Sequence, residues 1–176
     1  MARILVIVDM QNDFVYGPLG TPEAQRIVSR IVEKLNNNVY DIIIWTKDCH
    51  HSDYLNTQEG RCLPVEHCMY RTTGQEVISD LAMAKPHSMY NEIFEKDTYG
   101  SIELADYLYE NFDQQNDTVE FIGVCTDICV ISNVLLVRAR TPEIKVIVDS
   151  SCCAGTTPMK HVAAREVMKS CNVEVI

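Results

Sequence analysis

The sequence has little that would tie it to nucleic acid, to a membrane or to an oxidising compartment. Lys and Arg number 15 against 25 Asp and Glu, a net charge of -10 over 176 residues. The acidic side chains are spread along the chain rather than gathered in a run, which argues against nucleic acid or an anionic membrane surface as partner. No stretch nears the roughly 18 apolar residues that cross a bilayer. No export leader is visible either: Ile4 to Val8 is too short for the core of one, and Asp9 interrupts it. A cytoplasmic protein is therefore expected. There is no C-x-x-C pair, so neither a zinc ribbon nor a thioredoxin-type dithiol is supported. With no export signal the 8 cysteines read as reduced. Cys49, Cys62, Cys68, Cys152, Cys153 and Cys171 are then small hydrophobes. Internal repeats, low-complexity tracts and linkers are absent as well, and one domain over residues 1–176 is expected.

What is present is an alternation of apolar strands and amphipathic helices. Arg3 to Val8, Tyr40 to Trp45, Ser88 to Phe94, Val119 to Ile122, Ile144 to Val148 and Val173 to Val175 read as strands, the first a β-branched run buried on both faces. Helices fall between them: one capped by Thr21 with Pro22 in its first position, a short one over Gly74 to Leu81, then Ser101 to Phe112, Ser132 to Arg140, and Pro158 to Cys171. This order predicts an α/β/α three-layer sandwich around a mainly parallel six-stranded sheet. Ligands of such sheets sit beyond the carboxyl ends of the strands, near the switch in strand order.

Three stretches at those ends carry chemistry. Gly123 to Val130 follows the fourth strand as a sharp turn into a helix, with Cys129 in the first helical turn. The partial positive charge of a helix start is expected to lower the thiol pKa, and the thiolate is the nucleophilic form. Asp9 directly follows the first strand and Lys96 directly follows the third, where a cation would favour the thiolate. Asp13 fits a structural part, since its side chain can order the loop. The irregular segment from Thr46 to Thr73 is longer than the roughly 15 residues usual for a featureless loop, which marks it as a ligand-binding insertion. Within it Asp48 and His50 lie two apart, able to aim the same way from an extended segment, and His67 arrives later as a third donor. Mixed imidazole and carboxylate ligands suit a divalent transition metal such as Zn, Fe or Mn.

Together these landmarks resemble the isochorismatase-like cysteine hydrolase family, and within it the nicotinamidases. The resemblance rests on Val8-Asp9-Met10-Gln11-Asn12-Asp13-Phe14, Asp48-x-His50, Leu63-Pro64-x-x-His67-Cys68, Lys96 before Tyr99, and Gly123-Val124-x-Thr126-Asp127-x-Cys129-Val130. It implies a catalytic triad of Asp9, Lys96 and Cys129, an oxyanion hole from the backbone N–H groups of Cys125 and Cys129, and a cis Val124–Cys125 peptide. It also implies metal ligands Asp48, His50 and His67, with zinc the first expectation. Glu59 is the candidate for a further ligand and His51 its competitor. Phe14 and Tyr99 would wall the substrate ring. The substrate implied is nicotinamide, a small amide, in an enzyme that forms a homo-oligomer. Two departures touch the pocket: Leu63 stands where nicotinamidases commonly carry Trp, and Pro64 to His67 is spaced one residue wider. Another small amide or carbamoyl compound is therefore the alternative substrate. Cys129 argues against the vinyl-ether-cleaving branch of the family, which lacks the nucleophile. A catalytically silent binding module and a Cys125/Cys129 redox protein are the readings from other classes.

Overall fold

In the computed structural model, residues 1–84 and 87–176 are described, apart from the side chains of 87 and 89. β1 (Arg3–Val8) leads to α1 (Asn12–Val15), α2 (Pro22–Asn37), β2 (Val39–Asp48), α3 (Gln58–Cys62), α4 (Ser79–Ala82) and β3 (His87–Lys96). Then come α5 (Ile102–Asn111), β4 (Thr118–Val124), α6 (Ile131–Arg140), β5 (Lys145–Ala154), α7 (Pro158–Ser170) and β6 (Glu174–Val175). The helices start as the sequence predicts: Thr21 Oγ1 accepts from Ala24 N–H at 3.0 Å, and Ser101 Oγ accepts from Leu104 N–H at 3.0 Å.

Among the described residues the strands form one sheet in the order β3-β2-β1-β4-β5-β6, and every pairing is parallel. β1 is the centre and is buried on both faces, as its apolar run requires. Ile4, Val6 and Val8 point into a core shared with Leu104 and Leu108 of α5 and Val134 and Val137 of α6. Leu5 and Ile7 point the other way, against Ile27, Ile31 and Leu35 of α2. Burying each of these side chains is worth roughly 2 kcal/mol, so β1 is firmly held and the residue at its end has a fixed position. That is a three-layer sandwich. No helix among the described residues is long and apolar enough to cross a membrane.

The chain builds β1, β2 and β3 outward in one direction, then returns to place β4 beside β1 and builds outward in the other. The switch in strand order therefore lies between β1 and β4, and a crevice opens there at their carboxyl ends. The two strands meet closely: Gly123 takes φ +118°, and a β-carbon there would run into the carbonyl oxygen of Val8.

The structure differs from the sequence expectation in three ways. β2 and β3 run on to Asp48 and Lys96, and β5 to Ala154, past the points where their apolar runs stop. Gly74 to Leu81 is not a helix but a 3₁₀ turn at Thr73–Gln75, an extended step, and the single turn of α4. Gln75 explains the break. Its backbone carbonyl accepts from Gln11 Nε2 at 2.7 Å and its side-chain oxygen accepts from Arg71 N–H at 3.0 Å, ties to the neighbouring loops that a helix could not keep. Finally, Cys129 lies in a single π turn, Thr126–Val130, that precedes α6 rather than in α6 itself. Such turns are frequent at functional sites.

Candidate active site

The strand register delivers four residues to the crevice. Asp48 and Lys96 are direct partners across β2 and β3, while Val8, one residue before Asp9, pairs with Thr46 on one side and Gly123 on the other. Asp9 is fully buried, in the left-handed region at φ 49°. Its Oδ1 accepts from Thr46 Oγ1 at 2.6 Å. Its Oδ2 lies 2.7 Å from Lys96 Nζ, an ion pair whose alignment falls short of a good hydrogen bond and leaves Oδ2 with acceptor capacity to spare. Lys96 Nζ is also 3.4 Å from Asp48 Oδ1. Burial disfavours the ammonium, but Asp9, the Cys129 sulfur and Asp48 outweigh it and hold Lys96 above the usual lysine range. Burial raises the Asp9 pKa, with Lys96 pulling against it and Asp48 adding to it. Asp9 is thus a stronger base than a solvated carboxylate.

The π turn is closed on itself, with Ile128 N–H and Val130 N–H both donating to the Cys125 carbonyl at 3.0 Å. Asn133 fastens it to the β3–α5 loop: Nδ2 donates to the carbonyls of Cys129 at 2.8 Å and Tyr99 at 3.3 Å, and Oδ1 accepts from Ser101 N–H at 2.9 Å. The expected lowering of the Cys129 pKa does not hold. Burial pushes the thiol well up, Lys96 pulls it down, and Asp9 and Asp48 push it further up. The helix-start argument counts a local dipole, whereas burial is a tertiary effect and the larger one here. The free site therefore holds Cys129 as a thiol beside a raised carboxyl. The Val124–Cys125 peptide is cis, as the resemblance implied. Burial also pushes the Cys125 thiol up to about 12.

Across the crevice Asp48, His50 and His67 are buried, and their donor atoms lie within 4.8 Å of one another. Asp48 Oδ2 is 3.0 Å from His50 Nε2 and 3.5 Å from His67 Nε2. His67 Nδ1 is 2.7 Å from the Val65 carbonyl, which can only accept, so Nδ1 carries a proton and Nε2 faces the cluster; burial lowers the imidazole pKa, but Asp48 and the Val65 carbonyl outweigh that and raise it. His50 Nε2 is buried and makes no hydrogen bond of good geometry. Burial raises Asp48, but His50, His67 and Lys96 outweigh it and keep the carboxyl well below its usual range. Free imidazole nitrogens around an ionised carboxylate fit a divalent metal, so the donor set suits the group that the sequence implies. Glu59 Oε1 is 3.9 Å from both His50 Nε2 and His67 Nε2, within reach of a fourth place. His51 turns away, exposed and against Tyr70 at 5.2 Å between ring centroids.

A cleft of about 380 Å³ joins the two groups. Its wall includes Cys129, Cys125, Asp48, His67 and Glu59, and also Phe14, Leu63 and Tyr99, so the residues expected at the substrate are together. Phe14 meets the His67 ring edge-on at 5.4 Å. Sequence reasoning missed the remaining wall: Leu19 and Thr21 before α2, Ile128, and Thr156 and Lys160 after β5. Apart from Ile128, which lies within the Gly123–Val130 stretch, no local signal marks them, because the strand order alone brings those segments over the crevice. It also missed the supports. Tyr54 packs on the rings of His50 at 4.5 Å and His67 at 5.1 Å and donates to the Leu63 carbonyl at 2.8 Å. Gln11 brackets the backbone of Asp48, accepting from its N–H at 2.7 Å and donating to its carbonyl at 2.8 Å. Asp13 does order the loop, accepting from Cys68 N–H at 2.8 Å.

An α/β/α sandwich with a buried Asp, Lys and Cys at its switch point defines the fold and the site but not yet the family. Family comparison supplies it: an isochorismatase domain model matches residues 3–176. The chain belongs to the isochorismatase family and is a hydrolase. Among curated relatives, the nicotinamidase/pyrazinamidase of Mycobacterium tuberculosis is 26% identical, over 99% of this chain and 98% of the relative. Among solved structures, pyrazinamidase of Pyrococcus horikoshii in complex with zinc has a TM-score of 0.75 at 25% identity, covering 100% of this chain and 99% of the other. N-carbamoylsarcosine amidase of Thermoplasma acidophilum has a TM-score of 0.74 at 27% identity, covering 99% and 95%.

Proposed function

We propose that the protein is a metal-assisted cysteine amidohydrolase with nicotinamide as its substrate, releasing nicotinate and ammonia. The observation that carries this reading is the position of Lys96, whose ammonium touches both Asp9 and Asp48 and so ties the acid–base pair to the metal donors beside one thiol. A binding module has no need of a buried thiol beside a carboxylate oxygen that the pairing leaves without a well-aligned donor. A Cys125/Cys129 redox pair is disfavoured because it gives Lys96 and the metal donors no role.

In this mechanism Asp9 takes the proton of Cys129 as the sulfur attacks the amide carbonyl carbon. Backbone N–H groups of Cys125 and Cys129 receive the developing oxyanion. Asp9 returns the proton to the amide nitrogen, the C–N bond breaks and ammonia leaves a thioester. Water, deprotonated by Asp9, then attacks the thioester carbon, and the C–S bond breaks to give the acid and the restored thiol. Lys96 keeps its charge throughout and stabilises whichever of Asp9 or the sulfur is anionic. Asp48, His50 and His67, with Glu59 in reach, would hold a divalent metal, zinc first, and a bound ion would supply a Lewis acid that orients the substrate ring. Phe14 and Tyr99 flank that ring. The exposed side chains of Tyr90 and Ile93 on the sheet-edge strand β3 are consistent with a homo-oligomer.

A second reading is favoured by two wall residues. Leu63 leaves the pocket wider than Trp would, and Lys160 offers a cation that a neutral pyridine does not use. These suit a carbamoyl or amide compound bearing a carboxylate. Ammonia release from nicotinamide, run against a panel of small amides and N-carbamoyl amino acids, decides between the two. Turnover of nicotinamide above the panel is expected; turnover of the carbamoyl compounds alone would transfer the assignment to the second reading. Intact hydrolysis in Cys129→Ala would refute the covalent mechanism for both.

A further inference from the structure

The nucleophile and one wall of its cleft come from segments far apart in the chain, and a single side chain ties them together. Asn133, in the first turn of α6, is fully buried. Its Nδ2 donates to the carbonyls of Cys129 and Tyr99, and its Oδ1 accepts from Ser101 N–H, so the amide fits only one way round. One planar group thus sets the backbone of Cys129 against that of Tyr99, and the side chains of both residues line the cleft. Gly100 lets the two segments meet: a β-carbon there would lie 2.6 Å from Leu136 Cδ1 and 3.1 Å from the carbonyl carbon of Ser132. Ser101 is also the N-cap of α5, so the same contact reaches the start of that helix. Among the described residues no other hydrogen bond joins the segment 97–101 to the π turn or to α6. Tyr99 itself is 47% exposed, so its side chain has little packing of its own to hold it.

We propose that Asn133 is a positioning residue for the hydrolysis, holding the Tyr99 wall and the Cys129 sulfur at one separation. The inference rests on the amide-hydrolysis reading above, since positioning needs a reaction at Cys129. Attack requires the substrate carbon about 3 to 3.5 Å from the nucleophile, and a misplacement of about 1 Å costs on the order of 10²-fold in rate. The substrate rests against Tyr99, whereas the sulfur moves with the π turn. Slack between those two segments therefore reaches the chemical step as well as binding. An asparagine that served the fold alone would affect stability and leave both kinetic constants untouched.

The test compares the full parent chain with Asn133→Leu, which keeps the size and removes all three bonds, and Asn133→Asp, which keeps the acceptor for Ser101 N–H and loses both donations. With the small amide that the parent hydrolyses fastest, kcat per folded molecule is expected to fall about 10²-fold in Asn133→Leu, with KM raised as well. Amide hydrogen exchange, read without substrate, is expected to quicken about tenfold at Ser101 in Asn133→Leu, the loss of one hydrogen bond, and less in Asn133→Asp. Parental kcat and KM in both variants, with only a lower urea midpoint, would overturn the proposal and leave Asn133 to the fold. A higher KM with parental kcat would also overturn it, by confining Asn133 to the Tyr99 wall. Unchanged exchange at Ser101 in Asn133→Leu would overturn it whatever the kinetics. Should Asn133→Leu fail to fold, Asn133→Asp and Asn133→Ser carry the same comparisons. A parent chain that hydrolyses no amide would instead remove the amide reading and the catalytic part of the role with it, while exchange at Ser101 still decides whether the two segments are clamped.

Discussion

The sheet carries two buried lysine–carboxylate clusters, and only one of them belongs to the crevice. At the carboxyl ends of the strands Lys96 lies between Asp9 and Asp48. On the α2 face Lys34 lies between Glu120 Oε1, at 2.5 Å, and Asp149 Oδ2, at 2.8 Å. The second cluster is fully satisfied: Tyr40 O–H donates to Glu120 Oε2 at 3.0 Å, and Ser151 donates to Asp149 Oδ1 from both its N–H, at 3.0 Å, and its hydroxyl, at 2.7 Å. In the first, Asp9 Oδ2 lacks a well-aligned donor and a protonated thiol stands beside it. Burial opposes both Asp9 and Asp149, but Lys34 and Ser151 prevail at Asp149 and lower its pKa, whereas at Asp9 burial prevails and the pKa rises. A buried charge pair is therefore not in itself a sign of function. What separates the two is unused hydrogen-bonding capacity at Asp9, next to a thiol that lines the cleft.

The largest effect expected from breaking this parallel is in catalysis. Lys96→Met keeps the length of the side chain and removes its charge, so neither Asp9 nor the Cys129 sulfur has a cation to stabilise it. A loss of about 10⁴-fold in kcat/KM is expected, the size seen when one member of a catalytic unit is removed. The rate should be compared with that of Cys129→Ala. A Lys96→Met enzyme within tenfold of the parent would reduce Lys96 to a structural residue and dissolve the distinction between the clusters.

The converse substitution gives the next largest effect, this time in stability. Lys34→Met leaves Glu120 and Asp149 buried without their cation, a change that costs about 3 kcal/mol. Urea unfolding should show that loss through a lower midpoint, while kcat per folded molecule stays at the parental value. A fall in kcat with unchanged stability would contradict the assignment of Lys34 to structure.

The same contrast explains what could be read from the sequence. Asp9, Lys96 and Cys129 were legible because each follows an apolar run that identifies a strand, and the run locates the strand's end. The ends themselves were misplaced. Thr46, Lys47 and Asp48 are buried in β2, yet polar residues at those positions read as loop, because the partners that make their burial tolerable come from other strands. For the same reason β5 was cut short before Asp149, whose cation is supplied by α2. The thiol pKa was misjudged on a local dipole when the deciding quantity was burial. Thr156 and Tyr54 sat in segments with no periodicity to mark them, and Lys160, within a predicted helix, had nothing to show that the helix start reaches the cleft. The candidate site's residues were thus visible in their types and order, while its supports depend on contacts between segments distant in the chain.

The smallest and most specific expectation concerns acid. The lowered pKa of Asp149 means that its contribution to stability is complete above the unfolded carboxyl value of about 3.9 and is lost as pH falls through the lower folded value. Asp9 has the opposite sign: its raised pKa makes the folded state the better proton acceptor, so its cost appears as pH rises past about 4. Asp149→Asn removes only the first effect. Subtracting its unfolding free energy from the parent's should give a difference of about 1 kcal/mol near neutrality, after allowance for solvent at the edge of the cluster, that shrinks toward zero below pH 4. A difference that stays constant with pH would mean that the charge of Asp149 does not stabilise the fold. By the same sign argument, the acid limb of kcat/KM, set by Asp9 as base, should fall above the ordinary carboxylate range, and the two titrations would then be separated along the pH axis within one protein.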